Sequence, residues 1–203
     1  MEELVRQLIQ QGYLKTPEII DAFRKVNRRD FLPDDLTGED SANVPLPIGH
    51  GQTISQPLTV AFMFELLDPD KNQKILDIGS GSGWTTAMLA ELVKPDGKVY
   101  AIERIAELKE FGQKNVAKYN LENVEFFCQD GSLGLPDRAP FDRIIVAAAA
   151  LEVPQELKKQ LKLGGRLVIP TAQQDIRLIK RIDDKEYEEE VFPGFVFVPL
   201  IKD

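Results

Sequence analysis

The chain has 203 residues, a length that suits one domain with a modest extension and can bury a core without staples. Hydrophobic residues make up 43% and charged residues 29%, which excludes a disordered or fibrous chain and fits an ordinary globular one. The net charge of −8 argues against a surface that grips a phosphate backbone, where affinity comes from Lys and Arg.

Cys128 is the only cysteine, so an intrachain disulfide and a zinc site built on several thiolates are both excluded. No stretch approaches the roughly 18 consecutive apolar residues of a membrane helix. The amphipathic, acidic start MEELVRQLIQ is unlike a secretory signal. A reducing, cytoplasmic setting is expected, with no nucleic acid, membrane or metal partner and a monomeric chain.

Leu4, Val5, Leu8 and Ile9 share one face of a first predicted helix. Thr16-Pro17 resembles a cap followed by proline at the first helical position, and Ile19, Ile20 and Phe23 stripe a second helix. Residues 33–56 carry Pro33, Pro45, Pro47 and three glycines and read as a long irregular segment, a kind of loop that tends to be functional. A third helix is predicted from Pro57 to Leu67.

From residue 73 strands and helices alternate. Strands are predicted at Lys74–Ile78, Lys98–Ile102, Val124–Cys128, Phe141–Ala147, Arg166–Ile169 and Ile176–Ile182, with a last one near Phe195–Val198. Helices are predicted at Trp84–Val93, Arg104–Tyr119 and Pro154–Leu161. Apolar strands alternating with helices imply an α/β fold with a mostly parallel, doubly wound sheet. The charged run Glu186–Glu190 reads as a solvated hairpin edge. The expected organisation is a single domain over 1–203, with N-terminal helices and a covering loop in 1–68 and a Rossmann-like core in 69–203.

The first of these strands runs into Gly79-Ser80-Gly81-Ser82-Gly83 and then a helix. Glycines let the backbone turn and approach a ligand, and the helix start offers free N–H groups. Dinucleotide folds use G-x-G-x-x-G to seat pyrophosphate, whereas here the last glycine comes one residue early. Asp77 sits two residues before the loop, more acceptable beside a sulfonium and an amino-acid tail than beside pyrophosphate. Glu103 ends the next strand, twenty residues after Gly83, where doubly wound folds place a carboxylate for ribose hydroxyls. Asp130-Gly131 follows the third strand and suits an acceptor for an adenine amino group. Each could instead be an ordinary turn or helix cap. Together, at three strand ends, they point to S-adenosylmethionine.

The stretch Pro45-Leu46-Pro47-Ile48-Gly49-His50-Gly51-Gln52-Thr53-Ile54-Ser55-Gln56-Pro57 resembles the signature of protein-L-isoaspartate (D-aspartate) O-methyltransferases. The likeness continues through Leu76–Gly83, Tyr100–Arg104, Asp130-Gly131, Phe141–Ala149, Gly164–Pro170 and Phe197–Leu200. It implies a Rossmann-like methyltransferase fold with extra N-terminal helices and a rearranged C-terminal strand order. It implies methyl transfer from S-adenosylmethionine, leaving S-adenosylhomocysteine, to the free carboxylate of L-isoaspartyl, and by extension D-aspartyl, residues in damaged proteins or peptides. The ester then collapses to a succinimide and part returns as aspartyl. Carried over, Ser55 is the active-site hydroxyl, and Thr53 and Ile54 shape the loop over the methionine end. Asp77, Gly79, Ser80, Gly81, Gly83, Glu103, Asp130 and Gly131 hold the cofactor.

The sequence departs from the family pattern at Ala42-Asn43-Val44, Ala147, Thr171-Ala172 and Val196. Two other readings stand beside repair: a relative that methylates another peptide carboxylate, and a cofactor-binding module without turnover. His50, the only histidine, is read as a loop-stabilising hydrogen-bonder rather than a catalyst, and Cys128 as a small core residue. Trp84 is read as helix packing beneath the cofactor, with a place on the pocket wall as the alternative.

Overall fold

The computed structural model describes residues 1–202. Seven strands form one sheet in the order β5(Val124–Cys128), β4(Lys98–Glu103), β3(Lys74–Ile78), β6(Phe141–Val146), β7(Leu161–Thr171), β8(Asp175–Arg181), β9(Tyr187–Pro193). The pairs from β5 to β7 are parallel, and β7–β8 and β8–β9 are antiparallel. Strand order reverses at β3, so loops leaving β3, β4 and β6 diverge and open a crevice at their carboxyl ends.

Alternation along the strands divides the core. Ile75, Val99, Ile145 and Val168 point to one face; Leu76, Tyr100, Ile144 and Leu167 point to the other. The first face is covered by α1(Glu2–Gln10), α2(Pro17–Lys25), α3(Pro57–Leu67), α4(Trp84–Leu92) and α5(Ala106–Ala117). The second is covered more thinly, by α6(Gln155–Lys159) and the loops around Leu135 and Val153. No described helix is long and apolar enough to cross a membrane.

The structure differs from the sequence-based expectation in three places. The irregular segment 33–56 contains an antiparallel hairpin, β1(Leu46–Gly49) and β2(Gln52–Ile54). Leu46, Ile48 and Ile54 are its buried side, and Gly49, His50 and Gly51, all at positive φ, make its turn. No strand forms at Phe195–Val198. The edge strand is β9, whose glutamates face solvent while Arg177–Glu189 (2.7 Å) and Lys180–Glu190 (2.8 Å) tie it to β8. Gly194, at φ 100°, then turns the chain away, and the tail meets the loop after β6 at a bridge between Ala149 and Pro199. Cys128, expected in the core, is exposed, because β5 is the opposite sheet edge and its last residue lies beyond the cover of α5.

Candidate functional site

The crevice is a cleft of about 870 Å³ when the solvent space at its mouth is counted. Its floor is the glycine loop, where Gly79 and Ser80 both donate their N–H to the carbonyl of Ile102 (2.9 and 3.1 Å). One wall is Glu103 with Gln129 and Gly131, and another is Ala147–Ala148. The β1–β2 hairpin and residues 198–201 of the tail complete it. The hairpin lies close over the loop: a Cβ on Gly81, already at φ 51°, would sit 3.2 Å from Cδ1 of Ile48.

Glu103 is buried at the cleft wall, and its two oxygens accept from Gly81 N and Ile105 N, each at 3.0 Å. A carboxylate has about four lone-pair sites, so acceptor capacity remains for hydroxyls in the cleft. Asp77 is buried one layer below the loop and does not line the cleft. Its Oδ2 accepts from Thr86 (2.6 Å) and Thr85 (3.2 Å), while Oδ1 bonds to no group among the described residues. Ser80 Oγ is likewise buried without a partner, and Ser80 lines the cleft.

A second, open cavity, of about 790 Å³ when the solvent space at its mouth is counted, lies alongside, with walls that include Gln56, Thr59, Val196 and Phe197. The two cavities share Thr53, Ser55, Ala147 and Val198. Strand alternation explains the first pair. Ile54 turns into the core at 4% exposure, so Thr53 and Ser55 project together to the other side.

Of the residues read from the sequence, Thr53, Ile54, Ser55, Gly79, Ser80, Gly81, Glu103 and Gly131 are brought to the cleft. Asp77, Gly83 and Asp130 are not on its wall. Gly83 serves the approach of α4 to α5, since a Cβ there would meet Gly112 O at 2.8 Å. Asp130 turns its carboxylate back on Ser132, accepting from its N–H (2.7 Å) and its hydroxyl (2.8 Å). His50 is exposed in the hairpin turn. Its carbonyl, not its ring, accepts the bond recorded there, from Gln52 Nε2 at 3.4 Å, so the expected side-chain anchor is absent among the described residues. Trp84 fulfils both of its readings: it is buried against Phe23 (centroids 5.6 Å) and lines the cleft.

Sequence reasoning missed Arg28, Gln129 and the tail residues Pro199–Ile201. Arg28 is fully buried and donates to the carbonyls of Ala42 (2.8 Å), Val44 (2.8 Å) and Ser55 (3.2 Å). Burial pulls its pKa down to about 10, opposed by Asp40, so it stays charged at neutral pH. Nothing in Arg28-Arg29 says which of the two turns inward. The segment 42–44, unusual in sequence, acts here through its backbone and one amide: Asn43 Oδ1 accepts from Leu58 N (3.0 Å) and Asn43 O from Gln56 Nε2 (2.8 Å).

A family model described as protein-L-isoaspartate (D-aspartate) O-methyltransferase matches residues 1–203. A protein-L-isoaspartate O-methyltransferase of Methanopyrus kandleri is 45% identical over 98% of this chain and 90% of its own length. The one from Aeropyrum pernix is also 45% identical, over 98% of this chain and 78% of its own. A Plasmodium falciparum crystal structure, assigned as the same enzyme and holding S-adenosyl-L-homocysteine, shares the fold at a TM-score of 0.88. It is 23% identical, with 99% of this chain and 98% of that one covered. Glycine loop, strand-end carboxylate and covering hairpin thus coincide with whole-length kinship, and the chain belongs to the protein-L-isoaspartate (D-aspartate) O-methyltransferase family.

Proposed function

We infer that this chain transfers a methyl group from S-adenosylmethionine to the free carboxylate of L-isoaspartyl residues in damaged proteins and peptides, beginning their repair. D-aspartyl residues are a further acceptor in this reading. The observation that carries it is Ser55, set on the wall shared by two adjoining cavities, one floored by the glycine loop and one walled by Gln56, Thr59, Val196 and Phe197.

The residues of the first cavity fit the cofactor. Buried acceptors at Ser80, Glu103 and, below the loop, Asp77 suit a ligand with a cationic centre, an ammonium and ribose hydroxyls, and would repel a pyrophosphate. Glu103 would take the ribose, Gly79–Gly81 and Ser80 the amino-acid end, and Gln129 with Gly131 would flank the base. Asp77 acts from beneath by holding Thr85 and Thr86 at the start of α4. When bound, the cofactor supplies an electrophilic methyl group on a sulfonium.

The acceptor carboxylate, with a pKa near about 4, is ionised at neutral pH, so no general base is required. Ser55 donates a hydrogen bond that orients one carboxylate oxygen, and Thr53 and Ile54 hold the hairpin over the cleft. Ala147 and Val198 narrow the passage between the cavities. Orientation and water exclusion then supply most of the rate. Residues 1–68 serve as cover and 69–203 as core of one domain, and one copy suffices because a single chain builds both cavities.

The test is methyl transfer from labelled cofactor to matched isoaspartyl and aspartyl peptides. Label in the isoaspartyl peptide alone is expected, and Ser55→Ala should lower turnover far more than cofactor affinity. Label only in the aspartyl peptide would overturn the repair reading in favour of another carboxylate, and tight cofactor binding with no transfer would favour a binding module.

A further inference from the structure

We propose that Arg28 is a positioning residue that sets the distance between the acceptor-orienting Ser55 and Trp84 on the wall of the cofactor cleft. The inference rests on the role of Ser55 given above.

Arg28 opens a short 3₁₀ turn, Arg28–Phe31, far from the glycine loop in sequence. Its guanidinium reaches three carbonyls on two segments that flank the acceptor cavity. Ala42 and Val44 lie just before Pro45 on the cavity wall, and Ser55 is on the wall itself. The planar fork of an arginine holds such acceptors in a fixed relation, which the single ammonium of a lysine cannot do. The guanidinium carbon also lies over the ring of Trp84, 5.5 Å from its centroid. Trp84 in turn lines the cofactor cleft and is pinned by its own Nε1–H to Val26 O at 3.2 Å. One buried side chain, itself on neither cavity wall, therefore links the Ser55 backbone to the Trp84 ring.

A purely structural account is costly. No carboxylate lies within ion-pair distance of Arg28 among the described residues; Asp40, farther off, offsets only part of the effect of burial, and Nε is buried with no partner among those residues. Burying a cation against neutral carbonyls is expensive, and apolar replacements of buried charges are often neutral or stabilising. The arrangement is understandable if the fork sets a spacing that the reaction needs. In-line transfer is sensitive to it, since a misplacement of about 1 Å can cost on the order of 100-fold in rate.

The experiment combines Arg28→Lys and Arg28→Met with Ser55→Ala. Arg28→Lys keeps charge and stem but loses the fork, and Arg28→Met keeps bulk without charge. Rates with an isoaspartyl peptide are measured at saturating cofactor, S-adenosylhomocysteine affinity by calorimetry, and folding by thermal melting. In the parent background Arg28→Lys is expected to lower kcat on the order of 10–100-fold, with S-adenosylhomocysteine affinity within about threefold. In the Ser55→Ala background the same change should cost less than about threefold, because the group being positioned is gone. Equal losses in both backgrounds, or cofactor affinity falling in step with rate, would show that Arg28 only supports the fold. Should Arg28→Lys not fold, Arg28→Met carries the same cycle; if neither melts cooperatively, the proposal fails. Equal rates for the parent and Ser55→Ala would instead remove the reading of Ser55 itself, an outcome distinct from additivity.

Discussion

Thr86 donates its hydroxyl to Oδ2 of Asp77 at 2.6 Å, directly under the glycine loop. Burial pushes the Asp77 carboxyl up to about 6, the hydroxyls of Thr86 and Thr85 pull it back, and the charge of Glu103 adds to the rise. An unfolded aspartate titrates near about 3.9. Between about pH 4 and 6 the folded chain therefore keeps a proton that the unfolded chain has lost. Stability from this group falls as pH rises through that window and is flat above it. Asp77→Asn removes the titration. The stability of Asp77→Asn minus that of the parent, from urea melts, is expected to rise by about 1–3 kcal/mol from pH 4 to pH 7. A difference independent of pH would show that Asp77 is not the group responsible.

Glu103 joins the glycine loop to the turn after β4 through Gly81 N and Ile105 N. Glu103→Ala leaves both donors without their acceptor and removes the proposed ribose contact. Cofactor binding should weaken by roughly 1–3 kcal/mol, the scale of hydrogen bonds to a charged group, and the melting temperature should drop. A dissociation constant equal to the parent's in calorimetry removes Glu103 from the site.

Gly131 owes its identity to crowding rather than to backbone conformation. A Cβ there would lie 2.3 Å from Cγ2 of Ile78, a buried side chain of β3. Gly131→Ala is expected to cost about 1–3 kcal/mol by overpacking. Pairing it with Ile78→Ala should recover part of that cost, so that the double variant is more stable than the sum of the singles predicts. Strict additivity in denaturant melts would rule out this clash as the cause.

Cys128 is exposed at the end of an edge strand, its Sγ 3.8 Å from the carbonyl of Arg104, and is not on the cleft wall. A chromogenic disulfide reagent should label the folded protein at a rate that saturating S-adenosylhomocysteine leaves unchanged, and Cys128→Ser should change stability by less than about 0.5 kcal/mol. Labelling only after denaturation would place the thiol inside.

The elements nearest the cleft were the most legible in sequence. Lys74–Ile78 is an apolar run that stops at glycines, and β3 has those bounds. Pro57–Leu67 is a helix with proline in its first turn, as its spacing suggested. Ser55 and Glu103 could be picked out because a motif or a strand end marked them. The hairpin at 46–54 was hidden, although Leu46 and Ile48 alternate before a glycine pair, a pattern that reads as a turn once the prolines are set aside. Asp130 marks a strand end in the sequence, but a carboxylate there can turn toward a ligand or back onto its own chain, and the sequence does not say which. Ser132, two residues on, supplies two local donors to it.

By itself the amino-acid order determined the parallel core, the glycine loop and the kinship, because each rests on contacts or spacings within a few residues. Apolar runs, glycine positions and a carboxylate at a strand end are local facts. The tertiary structure alone decided that Ser55 stands between two cavities, that Arg28 rather than Arg29 turns inward to hold it, and that Asp77 and Gly83 support the loop from outside the cleft. Those outcomes depend on which distant segments compete for the same buried space. Arg28 meets Ser55 across 27 positions of chain, and no local pattern records that pairing.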